Sequence, residues 1–214
     1  ATGRGANSYY LAKQYPSIQF FGIDISETQL RFARKAAQSI TNYIPSGGDY
    51  HRLGHFADNT FDIVFVVEAL CHTMRKEVVL AEVKSVLRPG GVFIVFDGYA
   101  SKSMSKLTDE ERIAKGLVEK GMAVEQFEEY SLFIEQVHRV GLRVAKEEDV
   151  SEFVIPTMQR LERLANMFFK YVWLGRLLSK LLPRAVAYNS VAAYLMPASI
   201  RQNIFCYMIT VLEK

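Results

Sequence analysis

Two apolar runs constrain this chain more than any other feature: FDIVFVVEAL (61–70) and GVFIVFDGY (91–99). Both are β-branched and nearly continuous, as strands buried on both faces of a parallel sheet must be. Between them lies KEVVLAEVKSVL, in which Val79, Val83 and Val86 fall on one helical face, and Arg88-Pro89-Gly90-Gly91 follows as a helix stop. Strand, helix, strand in that order predicts a parallel crossover unit.

The same alternation extends over about the first 150 residues. Leu11, Ala12 and Tyr15 begin a helical face that Pro16 ends, and SIQFFGID reads as a buried strand finishing at Asp24. Ser26 with Gln29 three places on fits a capping box, and Leu30, Ala33, Ala37 and Ile40 give the next helix one apolar stripe. A further helix is expected from Val124 to Val140, then a strand in GLRVAKEEDVS and a last strand in NIFCYMITVLEK.

Between Glu152 and Ser199 the alternation lapses into helical patterns only, punctuated by Pro156, Pro183 and Pro197. The predicted plan is an α/β core over 1–151, a helical lid or substrate insertion over 152–203, and a final core strand over 204–214. Charge follows the same division. The chain carries a formal +3, yet residues 152–203 hold seven lysines and arginines against two glutamates. The overall excess is too small to point to nucleic acid.

Cys71 and Cys206 are too few for a disulfide framework, and no signal segment is visible, so a reducing cytoplasm is the expected compartment. The most apolar stretch, Met167 to Leu182, is broken by Lys170, Arg176 and Lys180 and does not read as a membrane span. FFKYVWLGRLLSKLL instead mixes an apolar face with spaced cations, as a helix lying at an anionic membrane surface does.

Chemistry is suggested first by ATGRG at the start of the chain. Gly3 and Gly5 lead into a helical pattern, and the strand that follows ends at Asp24. Glycines permit close backbone approach to a ligand, a helix amino end offers N–H groups, and a carboxylate at the second strand's end can bind ribose hydroxyls. The combination points to a nucleoside-containing cofactor. A nicotinamide-type G-x-G-x-x-G would need glycine where Ser8 stands, and a P-loop would need Gly-Lys-Ser/Thr, which is absent.

On these residues the chain resembles the class I S-adenosylmethionine-dependent methyltransferases. The resemblance runs in order over about residues 1–100 through GIDIS, GDYHRL, FADNTFDIVFVVEAL and LAEVKSVLRPGG. It implies a doubly wound, mostly parallel Rossmann-like sheet of about seven strands, the last antiparallel, carrying a helical lid. It also implies S-adenosylmethionine as cofactor, held by Ala1, Gly3, Gly5, Asp24, Ile25, Gln29, Asp49 and Tyr50, the last two at adenine. Ala1 stands where the family has its first glycine. The family's acidic residue and first strand would lie ahead of Ala1. LGHFADN within RLGHFADN is one residue longer than the family's commoner LPFADN, which shifts the adenine contacts.

EALCHTM begins where the 61–70 strand ends, at the carboxyl edge where open α/β sheets bind ligands. It looks most like the corresponding region of sterol C-methyltransferases and of natural-product O-methyltransferases. Glu68 and His72 are four apart and would share a face if the segment were helical. His72 could act as a base toward a hydroxyl, and Glu68 could stabilise a carbocation formed on an alkene. The plainer alternatives are a loop cap for Glu68 and a hydrogen-bonded wall residue for His72.

Asp97 either touches substrate or caps the next segment. His51 and His55 have no third ligand at an informative distance, so no metal is expected, and His138 looks peripheral. The expected function is methyl transfer to carbon or oxygen of a small, largely apolar acceptor of lipid, isoprenoid or natural-product type. The expected setting is cytoplasmic with peripheral contact to anionic membranes. The alternative is a non-catalytic ligand- or lipid-binding protein that keeps the fold.

Overall fold

The computed structural model describes residues 1–170 and 184–214. α1 (Ala6–Gln14), β1 (Phe20–Asp24), α2 (Glu27–Ala37) and β2 (Tyr43–Gly47) form the first unit, with β1 and β2 paired in parallel from Phe20↔Tyr43 to Asp24↔Gly47. β2 is not visible as a hydrophobic pattern because YIPSG contains a proline, which a strand tolerates at a sheet edge. Ala12, Ala33 and Tyr43 close this unit's small core.

The second unit is the crossover that the two long apolar runs predict. β3 (Phe61–Val67) and β4 (Leu87–Ala100) pair in parallel, joined by α3 (Lys76–Val86). β6 (Phe205–Glu213) runs antiparallel to β4 and to β5 (Arg143–Asp149), giving the order β3-β4-β6-β5. The α/β sheet with an antiparallel last strand is thus the predicted architecture. The described residues form six strands. Val79, Val83 and Val86 of α3 and Phe133 and Val137 of α5 (Tyr130–Arg139) cover Phe93, Val95 and Tyr99 of β4.

β3 pairs with β4 on one edge, no described strand pairs with the other, and Ile63 is 56% exposed, while β4 and β6 have described neighbours on both edges. Phe21 is likewise exposed, and a ring cluster of Phe21, Phe56 and Phe61 bridges the two sheets. α3 ends at Val86, just ahead of Arg88-Pro89-Gly90-Gly91; Leu87 pairs with Phe61, and those four residues lie in the irregularity before the register resumes at Ile63↔Val92.

The helix expected over 124–140 spans only Tyr130–Arg139. Ahead of it lies α4 (Asp109–Met122), closed by a full capping box between Thr108 and Glu111 and ended by Ala123 in the left-handed region. Residues 124–129 then run as an irregular connection whose Glu129 bridges to Ala100.

α6 (Ser151–Lys170) and α7 (Arg184–Arg201) are the helices expected after residue 151. Pro156 and Pro197 lie inside them and not at their ends. α7 crosses α4 so closely that a Cβ on Gly121 would lie 2.5 Å from the Ala192 side chain. α4 therefore packs against the helical segment expected over 152–203. Trp173, Arg176, Leu177, Lys180, Leu181 and Pro183 lie outside the described residues.

Candidate functional site

The glycine turn sits against β1, with Thr2 N–H donating to the Ile23 carbonyl at 2.7 Å and Gly5 N–H to Thr2 at 2.9 Å. Both glycines have positive φ, 56° at Gly3 and 82° at Gly5, but for different reasons. A Cβ on Gly3 would meet nothing within 4 Å, so this backbone faces open space. A Cβ on Gly5 would lie 2.7 Å from the Tyr43 hydroxyl and 3.0 Å from the Ala33 Cβ. Gly5 is thus required by packing of the turn on α2 and β2, and Gly3 is the one that leaves room for a ligand.

Asp24, at the carboxyl end of β1, is buried. One oxygen accepts the Gly3 N–H at 2.7 Å and the other the Ser26 N–H at 2.9 Å. Each oxygen keeps a further lone pair for a ligand hydroxyl. Ser26 caps α2 by accepting the Gln29 N–H at 3.4 Å, while Gln29's side chain is exposed. Ile25 is 81% exposed at the same edge, and Ala1 is exposed ahead of Thr2.

Gly48 N–H donates to the Asp24 carbonyl at 3.0 Å, which brings the 48–51 loop beside the glycine turn. Asp49 accepts from His51 twice, at 2.9 Å from its N–H and 2.7 Å from Nδ1, and His51 Nε2 lies 2.9 Å from the Thr73 hydroxyl. The His51 N–H above all holds the Asp49 carboxyl below its ordinary range. His51 is therefore a strut between two loops. Among the described residues no group of three or more His, Cys, Asp or Glu is arranged to hold a metal ion. Tyr50 donates from its hydroxyl to the Ala69 carbonyl at 3.3 Å, and burial pushes its phenol up.

The segment after β3 does not turn as the four-residue spacing of Glu68 and His72 suggests. Glu68 has φ 51°, in the left-handed region, and only Leu70–His72 forms a short 3-10 turn. The pair therefore does not share an α-helical face. The cause is Asp97, 1% exposed, at the end of the apolar part of β4. Its Oδ2 accepts the N–H groups of Ala69, Leu70 and Cys71 at 3.1, 2.7 and 3.2 Å, and its Oδ1 accepts Gly98 N–H at 2.8 Å. Asp97 thus caps the turn that follows β3.

Glu68 is exposed, and its carboxylate accepts the Tyr207 hydroxyl at 3.1 Å. His72 is exposed, and its imidazole makes no hydrogen bond to the described residues. Cys71, beneath the turn, has its thiol pushed up by burial and by Asp97. Gly3, Asp24, the 48–51 loop, Ala69 and Glu68 therefore follow one another by direct contact along one edge of the fold. Tyr207 and Thr73 join that edge unforeseen. Tyr207 lies inside a strand pattern that marks it as a sheet residue, and Thr73 carries no motif.

A family model described as "Methyltransferase domain" matches residues 1–95. A sterol 24-C-methyltransferase of Saccharomyces cerevisiae is 29% identical over 140 residues, covering 60% of this chain and 36% of that protein. A 24-methylenesterol C-methyltransferase of Arabidopsis thaliana is 28% identical over 143 residues, covering 64% of this chain and 39% of that protein. The chain thus spans little more than a third of these curated relatives' length.

Among solved structures, a geranyl diphosphate C-methyltransferase from Streptomyces coelicolor superposes with TM-score 0.74 at 13% identity, covering 99% of this chain and 67% of that one. The [4+2]-cyclase SpnF superposes with TM-score 0.74 at 20% identity, covering 100% and 72%. At these identities the structural likeness speaks for the fold. The methyltransferase domain matched over residues 1–95, the superposed fold and the motif order agree in making this chain similar to the class I S-adenosylmethionine-dependent methyltransferases.

Proposed function

We propose that this chain binds S-adenosylmethionine and directs its methyl group to carbon or oxygen of a small, largely apolar acceptor. The observation that carries the reading is the contact path from Gly3 through Asp24 and Gly48 to the Glu68 turn, which sets the glycine turn and Asp24 along the same edge as an exposed carboxylate. When bound, the cofactor supplies a methyl group on a positively charged sulfur. Asp24 would accept ribose hydroxyls while Gly3 keeps the backbone low enough for contact. Ile25, Asp49 and Tyr50 would hold the adenine end, with Gln29, Gly5 and Ala1 shaping the rim.

At the other end, Glu68 is placed to stabilise positive charge on an acceptor or to take its proton, and His72 to take a hydroxyl proton. The named relatives' sterol and geranyl diphosphate substrates favour an apolar acceptor, and the helices over 152–203 are its proposed cover.

Isothermal titration with S-adenosylmethionine, followed by transfer of its labelled methyl group to isoprenoid and sterol mixtures, tests the proposal. Micromolar binding lost in Asp24→Ala supports it. A chain that binds such lipids and no cofactor would instead be the non-catalytic protein.

A peripheral membrane contact is a second reading, favoured by α6. Phe153, Leu161, Leu164 and Met167 are exposed on it beside Arg160 and Arg163. No described helix is long and apolar enough to cross a membrane. Flotation with vesicles that contain or lack phosphatidylserine decides this part, and absence of binding to both removes it.

A further inference from the structure

Tyr207 is 139 residues from Glu68 in sequence, yet its hydroxyl reaches the Glu68 carboxylate at 3.1 Å. The residues on both sides of the contact are fixed. Tyr207 N–H donates to the Ser151 hydroxyl at 2.9 Å and its carbonyl accepts Val150 N–H at 2.9 Å, so the β5–α6 junction holds the backbone of Tyr207 at both polar atoms. Across the ladder its partner is Gly98, against which the Phe127 ring lies, so no side chain of β4 competes for the space beside the phenol.

Glu68 is held with equal care. Its N–H donates to the Phe96 carbonyl at 2.8 Å, and the three N–H groups after it are gathered by Asp97, which keeps its φ at 51°. A non-glycine residue in that region costs free energy and persists only where its surroundings over-determine it.

We propose that Tyr207 is a positioning residue: its hydroxyl fixes the Glu68 carboxylate at the carboxyl edge of the sheet, in the orientation in which that carboxylate meets the acceptor. The proposal rests on the reading of Glu68 as an acceptor-facing group, and adds the last strand to the site. Through the Ser151 contact it also ties that carboxylate to the first residue of α6, where the helical cover begins. A carboxylate with one free rotor fewer spends less of its interaction on becoming ordered when charge develops nearby.

Two measurements test it. The first needs no activity: Tyr207 is followed by NMR of its labelled phenol carbon as pH is raised. Burial first, and then the charge of Glu68, push this phenol up, with Asp97 and Cys71 also nearby. In Glu68→Gln the phenol is expected to titrate at lower pH than in the unaltered chain. An unchanged titration overturns the pairing.

The second is a double-mutant cycle on methyl transfer with Tyr207→Phe and Glu68→Gln. Tyr207→Phe keeps the ring and is expected to lower kcat about tenfold with cofactor affinity and thermal midpoint unchanged. In the Glu68→Gln background it is expected to add less than twofold. Additive losses, or a loss confined to KM, overturn the positioning role. If Glu68→Gln leaves transfer intact while the phenol shift is present, the reading of Glu68 fails and the pairing stands.

Discussion

The carboxylate of Asp97 holds the backbone N–H of Leu70 at 2.7 Å, and with Ala69 and Cys71 on the same oxygen it folds the end of β3 around itself. A buried carboxylate that accepts several N–H groups is charge-assisted at each, and removing it leaves buried donors unpaired. Asp97→Asn replaces one oxygen with an amide that cannot accept. It is expected to lose about 2–4 kcal/mol, read as a lower urea midpoint. A loss below about 0.5 kcal/mol would show that water or rearrangement satisfies the turn instead.

The two glycines of the opening turn should separate stability from binding. Gly5→Ala forces a Cβ to within 2.7 Å of the Tyr43 hydroxyl on a backbone with φ 82°, and is expected to cost about 2 kcal/mol or more. Gly3→Ala meets no neighbour and bears only its positive φ, so about 1 kcal/mol is expected. Cofactor affinity should nonetheless fall in Gly3→Ala beyond what its small stability loss accounts for, because the new methyl occupies the ligand's side of the turn. Equal affinity in Gly3→Ala and the unaltered chain, by titration calorimetry, would remove Gly3 from the site.

What could be read from the sequence was whatever repeats with a period. β-branched runs and the Val79–Val83–Val86 face placed β3, α3 and β4, and Ser26 marked the start of α2. β2 escaped because an edge strand with Pro45 buries too little to show alternation. At the site, Asp24 and Glu68 could be found from their places at strand ends. The left-handed turn at Glu68 could not, because it is imposed by Asp97 from the neighbouring strand, and Tyr207 could not, because a contact across 139 residues has no local signature.

Lys115 and Glu119 form an ion pair on α4 that is almost wholly buried, and Glu119 also accepts the Phe127 N–H at 2.7 Å. Breaking such a pair leaves one charge without compensation, while replacing both partners with apolar groups need not. Lys115→Met is therefore expected to cost about 3 kcal/mol, and Lys115→Met with Glu119→Leu distinctly less. Comparison of thermal midpoints decides it. A double variant less stable than the single one would show that the Phe127 contact, and not the pair, sustains the connection from α4 to α5.

The last prediction concerns alkaline pH. Burial pushes up the thiols of Cys71 and Cys206 and the phenols of Tyr99 and Tyr207, and raises Tyr130 to about 12. A group whose folded-state value is raised keeps its proton after the unfolded chain has released it. Stability from it is fully present below the unfolded value, about 8.5 for cysteine and about 10 for tyrosine. It is lost as pH climbs from there toward the folded value. The urea midpoint should therefore be level between about pH 7 and 8 and fall progressively from about pH 9 to 11. Below about pH 8, both thiols should also react with an alkylating reagent far more slowly in the folded chain than in urea. A midpoint that stays level through pH 11 would mean that these groups release their protons in the folded chain as easily as in the unfolded one.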